Sequence, residues 1–305
     1  MKKLLGIILT VFMLASFSFS YALDIPPLVS TDWLEKNLKA SGLVIIDVRS
    51  QEDYRGGHIP EAINIPFSAY MVKRGELSDE MPDDGALAAL LANAGIRESS
   101  RVVTVGKADN IGPEIGRVTR FLFVLSYAGV HQTGLLDGGI NKWKKENRPI
   151  SSDDVPSKAV TFTPKWNRAL FADKNLVTGA TGQGHLLCDV RPKGFYTGDS
   201  IKKPEVARGG HLPQAREVQV ENLFDSEGFL IGKFFVFKPM AEIEKVFGAS
   251  IGTDKKKGTI TYCNTGVLST LGWFLLERGL GYTNVRMYDG SMEEWTKDPA
   301  APVVR

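Results

Sequence analysis

Cysteine is scarce in this 305-residue chain, with only Cys188 and Cys263, and histidine occurs four times. Two cysteines exclude a disulfide-rich scaffold and permit at most one bridge. The cysteines and histidines also lack recognisable ligand spacing, so the sequence implies no metal site. Charge of one sign is missing as well. The formal net charge of +2 points to neither nucleic acid nor an acidic membrane surface as a partner. Low-complexity tracts are absent, and 43% hydrophobic with 24% charged residues is the balance of a globular protein with room for two domains. Past the first two dozen residues, no segment approaches the ~18 apolar residues that a membrane span needs.

What the sequence does have begins with a leader-like start. Lys2 and Lys3 precede an apolar stretch from Leu4 to Phe19, and Ser20-Tyr21-Ala22 places small residues where a signal peptidase would cut. The expectation is a signal peptide over residues 1–22 and an exported protein, periplasmic or extracellular, with no stable membrane association after cleavage. An uncleaved anchor is the alternative. No cysteine lies near the cut, which argues against a lipoprotein anchor. Without the two lysines the chain holds 35 basic and 35 acidic residues, an electrically neutral balance.

One pattern then occurs twice. Leu43-Val44-Ile45-Ile46-Asp47-Val48-Arg49 is followed by Gly57-His58-Ile59-Pro60-Glu61-Ala62. Later, His185-Leu186-Leu187-Cys188-Asp189-Val190-Arg191 is followed by Gly210-His211-Leu212-Pro213-Gln214-Ala215. Each copy continues with a β-rich run, Val102 to Val105 and Thr259 to Tyr262. Each closes on an Asp-Gly turn ahead of a tryptophan: Asp137-Gly138 before Trp143, and Asp289-Gly290 before Trp295. Short apolar runs without alternation read as strands buried on both faces. Between them, helical periodicity spans Trp33 to Lys39, Ala86 to Ala94, Ile115 to Ala128, Met240 to Phe247 and Ser269 to Arg278. Gly95 and Gly279 stand where helix C-caps are expected. Alternating strands and helices predict an α/β fold of two units, each a parallel sheet with helices on both faces. The polar stretch from Pro149 to Trp166, with three prolines, reads as a linker. The expected organisation is a first unit over 23–150, a linker over 151–167 and a second unit over 168–305.

Cys263 directly follows the β-rich run of the second copy. Asn264-Thr265-Gly266-Val267-Leu268-Ser269 then leads into a helix. A thiol between a strand's end and a helix's start gains from unpaired N–H groups and the positive end of the helix dipole, both of which favour thiolate. Gly266 allows a tight turn, so that several N–H groups converge on one sulfur. The competing reading is a cysteine that merely ends a buried strand. The first copy supplies a comparison, because Gly106 stands opposite the cysteine and its following loop, Lys107 to Pro113, is longer. That asymmetry suits a catalytic unit paired with a supporting one.

Together, Asp-Val-Arg, Gly-His-(Ile/Leu)-Pro-x-Ala, the strand-Cys-x-x-Gly loop and Tyr288-Asp289-Gly290-Ser291-Met292-Glu293-Glu294-Trp295 resemble the tandem-domain rhodanese family of sulfurtransferases, of the thiosulfate and 3-mercaptopyruvate kind. The resemblance covers nearly all of the chain after the leader. It implies that Cys263 becomes a persulfide cradled by loop amides, and that the first domain lacks the cysteine. It further implies a small-molecule sulfur donor, a thiophilic acceptor such as cyanide or a thiol, and no dissociable cofactor. Three departures bear on the donor. Thiosulfate-using members follow the cysteine with two basic residues, where this chain has Asn264 and Thr265. Mercaptopyruvate-using members carry Cys-Gly-Ser-Gly, so Thr265 keeps a hydroxyl while Asn264 replaces a glycine. The family's donor-binding arginine, four residues after Arg191, is replaced by Phe195.

The expected site is Cys263 as nucleophile, the segment Asn264, Thr265, Gly266, Val267, Leu268 and Ser269 as sulfur cradle, and Arg191 as a source of positive potential. Thr265 is the candidate proton-handling hydroxyl. Cys188 reads as a small buried hydrophobe, with a resolving thiol as the sharper alternative. Asp47 with Arg49, and Asp189 with Arg191, read as structural ion pairs at strand ends. His58 and His211 read as turn residues, although His58 in an interdomain cleft would serve as acid or base. Lys193, Lys202, Lys203 and Arg208 read mostly as solvated surface, with replacement of the absent donor-binding arginine by one of them as the alternative. A cysteine phosphatase needs Cys-x5-Arg, but Ser269 stands at that sixth position. The rival from another class is a non-catalytic exported module for partner binding or for redox or chalcogen delivery.

Overall fold

The computed structural model describes residues 24–200, 204–227 and 234–305. The expected signal segment (1–22), Lys202 and Lys203 therefore lie outside the described residues. The first unit holds strands β1 Leu28–Val29, β2 Leu43–Asp47, β3 Ala62–Asn64, β4 Val72–Arg74, β5 Leu77–Glu80, β6 Arg101–Val105 and β7 Thr133–Leu136. Its helices are α1 Thr31–Asn37, α2 Gln51–Arg55, α3 Asp84–Asn93, α4 Pro113–Tyr127 and α5 Gly139–Lys145. The second unit holds β8 Phe171–Ala172, β9 Leu186–Asp189, β10 Arg216–Glu217, β11 Phe224–Glu227, β12 Phe234–Phe237, β13 Thr259–Tyr262 and β14 Val285–Tyr288. With them come α6 Lys174–Gly179, α7 Lys193–Thr197, α8 Met240–Ile251, α9 Ser269–Phe274 and α10 Ser291–Lys297.

Both five-stranded sheets are wholly parallel and share one order. The first runs β1-β7-β6-β2-β3, the second β8-β14-β13-β9-β10. Their three inner strands, β7, β6 and β2 in the first and β14, β13 and β9 in the second, are short, mostly apolar and mostly buried runs, as the sequence requires of a parallel sheet under helices. Capping side chains start several helices: Ser30, Ser50, Asp83 and Asp173 each accept from the amide three residues on. Gly95, in the left-handed region at φ +75°, ends α3. Gly279 does not end its helix in that way. After α9 the chain widens into a π turn over Leu275–Gly279, closed by Leu280 N–H on the Leu275 carbonyl at 2.8 Å, and positive φ arrives only at Gly281. Ser151 pairs with His58 in an isolated antiparallel bridge, and residues 152–167 lack helix or sheet but are tied to the first unit. Val160, Lys165 and Asn167 donate to the carbonyls of Ala92, Ala128 and Tyr127.

The two units exchange hairpins. β4 and β5 leave the first unit to lie over the second, where Ser78 N–H donates to Glu293 Oε2 at 3.0 Å. β11 and β12 leave the second unit to cover the first, where Phe235 N–H donates to the Ala108 carbonyl at 2.8 Å and Phe237 N–H to Asp137 Oδ1 at 2.9 Å. Between the sheets, α4 packs against α9. The Thr119 and Thr270 hydroxyls meet at 2.9 Å, and Phe123 abuts Trp273 edge-on at 4.9 Å. Gly116 makes the approach possible, since a Cβ there would lie 2.8 Å from Val267 Cγ1. α4 is thereby brought against the loop that follows β13. No helix among the described residues is long and apolar enough to cross a membrane.

Candidate active site

β13 is the central strand of its sheet, and Cys263 is the first residue beyond its C-terminal end. In open parallel sheets that end is where ligands gather. The Cys263 amide donates to Ser291 Oγ at 3.1 Å, and its carbonyl accepts from Met292 N–H at 3.1 Å. The Asn264 carbonyl accepts from Glu293 N–H at 2.8 Å. These bonds fix the base of the loop on the start of α10. Ser291 holds its place with φ +48°, its hydroxyl donating to the Tyr288 carbonyl at 2.8 Å. Gly266 turns the loop at φ +80° directly over Asp289, whose carbonyl oxygen would lie 2.3 Å from any Cβ. Only glycine fits there.

Among the described residues, the amides of Asn264, Thr265, Gly266, Val267, Leu268 and Ser269 donate to no protein acceptor. A run of six uncommitted N–H groups beside a thiol is a ready donor set for a negatively charged sulfur. Cys263 is buried but lines a cavity of about 290 Å³. Asn264, Thr265, Val267, Leu268 and Arg191 line it too, together with Phe67, Met71, Asp79, Gly112, Pro113, Arg117, Pro192 and Phe195. Gly266 and Ser269 stand behind this wall, Ser269 Oγ donating to the Gly266 carbonyl at 2.6 Å.

Arg191 is committed on several sides. Its Nε and Nη2 fork onto Asp189 at 2.9 and 2.6 Å, Nη2 also reaches the Gly210 carbonyl at 2.8 Å, and Nη1 donates to Asn264 Oδ1 at 3.2 Å. Burial opposes its charge, but Asp189 outweighs burial and holds the guanidinium above the ordinary arginine pKa. In the first unit Arg49 makes the same fork onto Asp47 and reaches the Gly57 carbonyl at 3.1 Å. The ion pair is thus structural in both units, and only Arg191 also orients the cysteine loop.

Thr265 Oγ1 donates to Asp79 Oδ2 at 3.0 Å, across 186 residues of sequence. Asp79 sits at the end of the first unit's hairpin with φ +56°. Its carbonyl is pinned by the wholly buried Arg120, which donates from Nη2 at 2.9 Å. Arg120 also pairs with Asp289 at 2.6 Å, so one guanidinium joins the hairpin, α4 and the turn beneath Gly266. Beyond Asp289 lies a second cavity of about 670 Å³, where burial and then Asp289 push Glu80 up to about 7.

The rhodanese-like domain family matches residues 30–146 and, a second time, residues 163–298. The chain belongs to the rhodanese-like family of sulfurtransferases. A relative from Saccharopolyspora erythraea, named "Putative thiosulfate sulfurtransferase", is 31% identical over 288 residues, covering 90% of this chain and 95% of its own. One of the same name from Mycolicibacterium smegmatis is 30% identical over 283 residues, covering 90% and 96%. In fold, the chain is similar to the anaerobic ergothioneine biosynthesis enzyme from Chlorobium limicola. The TM-score is 0.75 at 24% identity, with 91% of this chain and 69% of the other covered.

Within this rhodanese-like pair, several residues singled out from sequence stand away from the cavity. His58 is fully buried in a turn, its ring stacked on Tyr54 at 3.7 Å and its Nδ1 donating to the Tyr54 carbonyl at 2.9 Å. His211 repeats that arrangement on Tyr196, so the turn reading holds and the cleft acid or base does not. Cys188 is sealed in β9, and burial drives its thiol far above the ordinary value. Both cysteines are free. Lys193 is outside the cavity wall, and Arg208 donates to the Asp298 carbonyl at 2.7 Å. Besides Arg191, the cavity is lined by the cation Arg117, which comes from the first domain, as does Asp79. Sequence reasoning missed both. Arg117 falls inside a helix with nothing to distinguish it, and Asp79 falls in a polar hairpin with no strand alternation.

Proposed function

We propose that this sulfurtransferase carries a sulfane sulfur on Cys263. The Cys263 thiolate attacks the outer sulfur of a donor such as thiosulfate, forming a Cys–S–S⁻ persulfide as the old sulfur–sulfur bond breaks and sulfite departs with its electron pair. An acceptor nucleophile, cyanide or a thiolate, then takes the outer sulfur and returns the thiolate. The observation that carries this reading is a cysteine on a cavity wall followed by six N–H groups with no protein acceptor among the described residues. They would serve a persulfide as an oxyanion hole serves oxygen. Thr265 donates its hydroxyl hydrogen bond to Asp79, which leaves the lone pairs of its oxygen free to accept a hydrogen bond from a donor thiol. The chemistry asks for no dissociable cofactor. Turnover of thiosulfate and cyanide to thiocyanate by wild type and by Cys263→Ser tests the reading. Loss of turnover in the variant supports it, and equal rates would leave only a binding role. The leader-like residues 1–22 support action outside the cytoplasm. A fusion of residues 1–25 to a reporter active only after export checks that placement, and a silent reporter would overturn it.

A further inference from the structure

Three charged side chains line the Cys263 cavity: Asp79, Arg191 and Arg117. Asp79 takes the Thr265 hydroxyl, and Arg191 is held by Asp189, Gly210 and Asn264. Arg117 is left. It enters on α4 of the first domain, its guanidinium carbon 3.7 Å above the centre of the Phe67 ring, and its side chain is about a quarter exposed, at 27%. Its ionic partner, Glu114, lies one turn earlier on the same helix and outside the cavity wall. Stacking on an aromatic face steers a guanidinium while leaving its edge donors available. The wall around it is largely apolar, with Met71, Phe195 and Leu268 facing the same space. A volume of about 290 Å³ exceeds what a small inorganic oxyanion fills and suits a compact organic molecule.

We propose that Arg117 of the non-catalytic domain binds the anionic end of the substrate, and that the apolar wall selects organosulfur anions over inorganic thiosulfate. The non-catalytic domain then supplies specificity, and the arginine missing at Phe195 is replaced across the interface. This inference rests on sulfur transfer through Cys263. With an aryl thiosulfonate as donor, the thiolate takes the terminal sulfur and an aryl sulfinate leaves, so atoms and charge balance.

The test measures KM and kcat for benzenethiosulfonate and for thiosulfate, with cyanide as acceptor. Wild type should prefer benzenethiosulfonate in kcat/KM. Arg117→Met should raise its KM about 10-fold or more while kcat stays within about twofold, the size expected for one lost charge-assisted contact. Arg117→Lys should recover most of that loss. Glu114→Gln, which leaves the guanidinium unopposed, should lower KM about two- to threefold. Unchanged KM in Arg117→Met, a loss confined to kcat, or a wild-type preference for thiosulfate would each overturn the assignment while leaving Cys263 sulfur transfer intact. A wild type that turns over neither donor would instead remove the underlying reading.

Discussion

Asp79 reaches the cysteine loop through a single hydrogen bond, which makes its contribution separable. Thr265 Oγ1 donates to Asp79 Oδ2 at 3.0 Å, and both residues line the Cys263 cavity. A hydrogen bond to a charged group is worth about 1.5–3 kcal/mol. At about 1.4 kcal/mol per decade, removing the charge should lower kcat/KM about 10- to 100-fold if hydroxyl orientation is what the bond supplies. Asp79→Asn is the suitable perturbation. Asparagine tolerates the φ of +56°, and the Arg120 bond goes to the backbone carbonyl, which the substitution keeps. Thr265→Val removes the hydroxyl without changing the shape. A double-mutant cycle in a thiocyanate assay, with melting curves to confirm folding, then isolates the pair. If Asp79 acts through Thr265, the double variant matches Thr265→Val alone. Additive losses would show that Asp79 acts on the substrate or the loop by another route and would refute the reasoning.

Arg120→Met should lower stability by about 3–5 kcal/mol, because it strands Asp289 at the interface without its 2.6 Å partner. That corresponds to a fall in melting temperature of order 10 °C, and an unchanged melting curve would contradict the placement of Arg120. Glu80 titrates near 7 in the folded protein because burial disfavours its charge. Its raised value means that stability is full below the ordinary glutamate pKa of 4.5 and is lost as pH rises towards 7. Glu80→Gln should therefore match wild type at pH 4.5 and be more stable at pH 8, by about 1–2 kcal/mol after allowance for partial solvent screening. Equal stability of the two proteins at both pH values would contradict it.

The repeat made the architecture readable, since Gly106 and Cys263 end equivalent central strands of two sheets with one strand order. Five helices were legible from apolar periodicity, and Met240 and Ser269 begin theirs where the sequence places them. The boundary at Gly279 was not legible, because a π turn and an αR end can be told apart only when the packing around them is known. The cysteine loop could be located because strand, thiol, glycine and helix are consecutive. Its surroundings could not, because Asp79, Arg117 and Arg120 come from another domain and carry no periodic signature. Their roles arise from a hairpin that crosses to the other unit and from an α4 that approaches closely at Gly116.

The most direct test of a sulfur carried on Cys263 is intact-mass and peptide analysis of reduced protein after brief exposure to thiosulfate or an aryl thiosulfonate. The expected result is a gain of about 32 Da, one sulfur atom, on the Cys263 peptide and none on the Cys188 peptide, reversed by cyanide. A protein that gains no mass, or gains it on Cys188, would contradict the account.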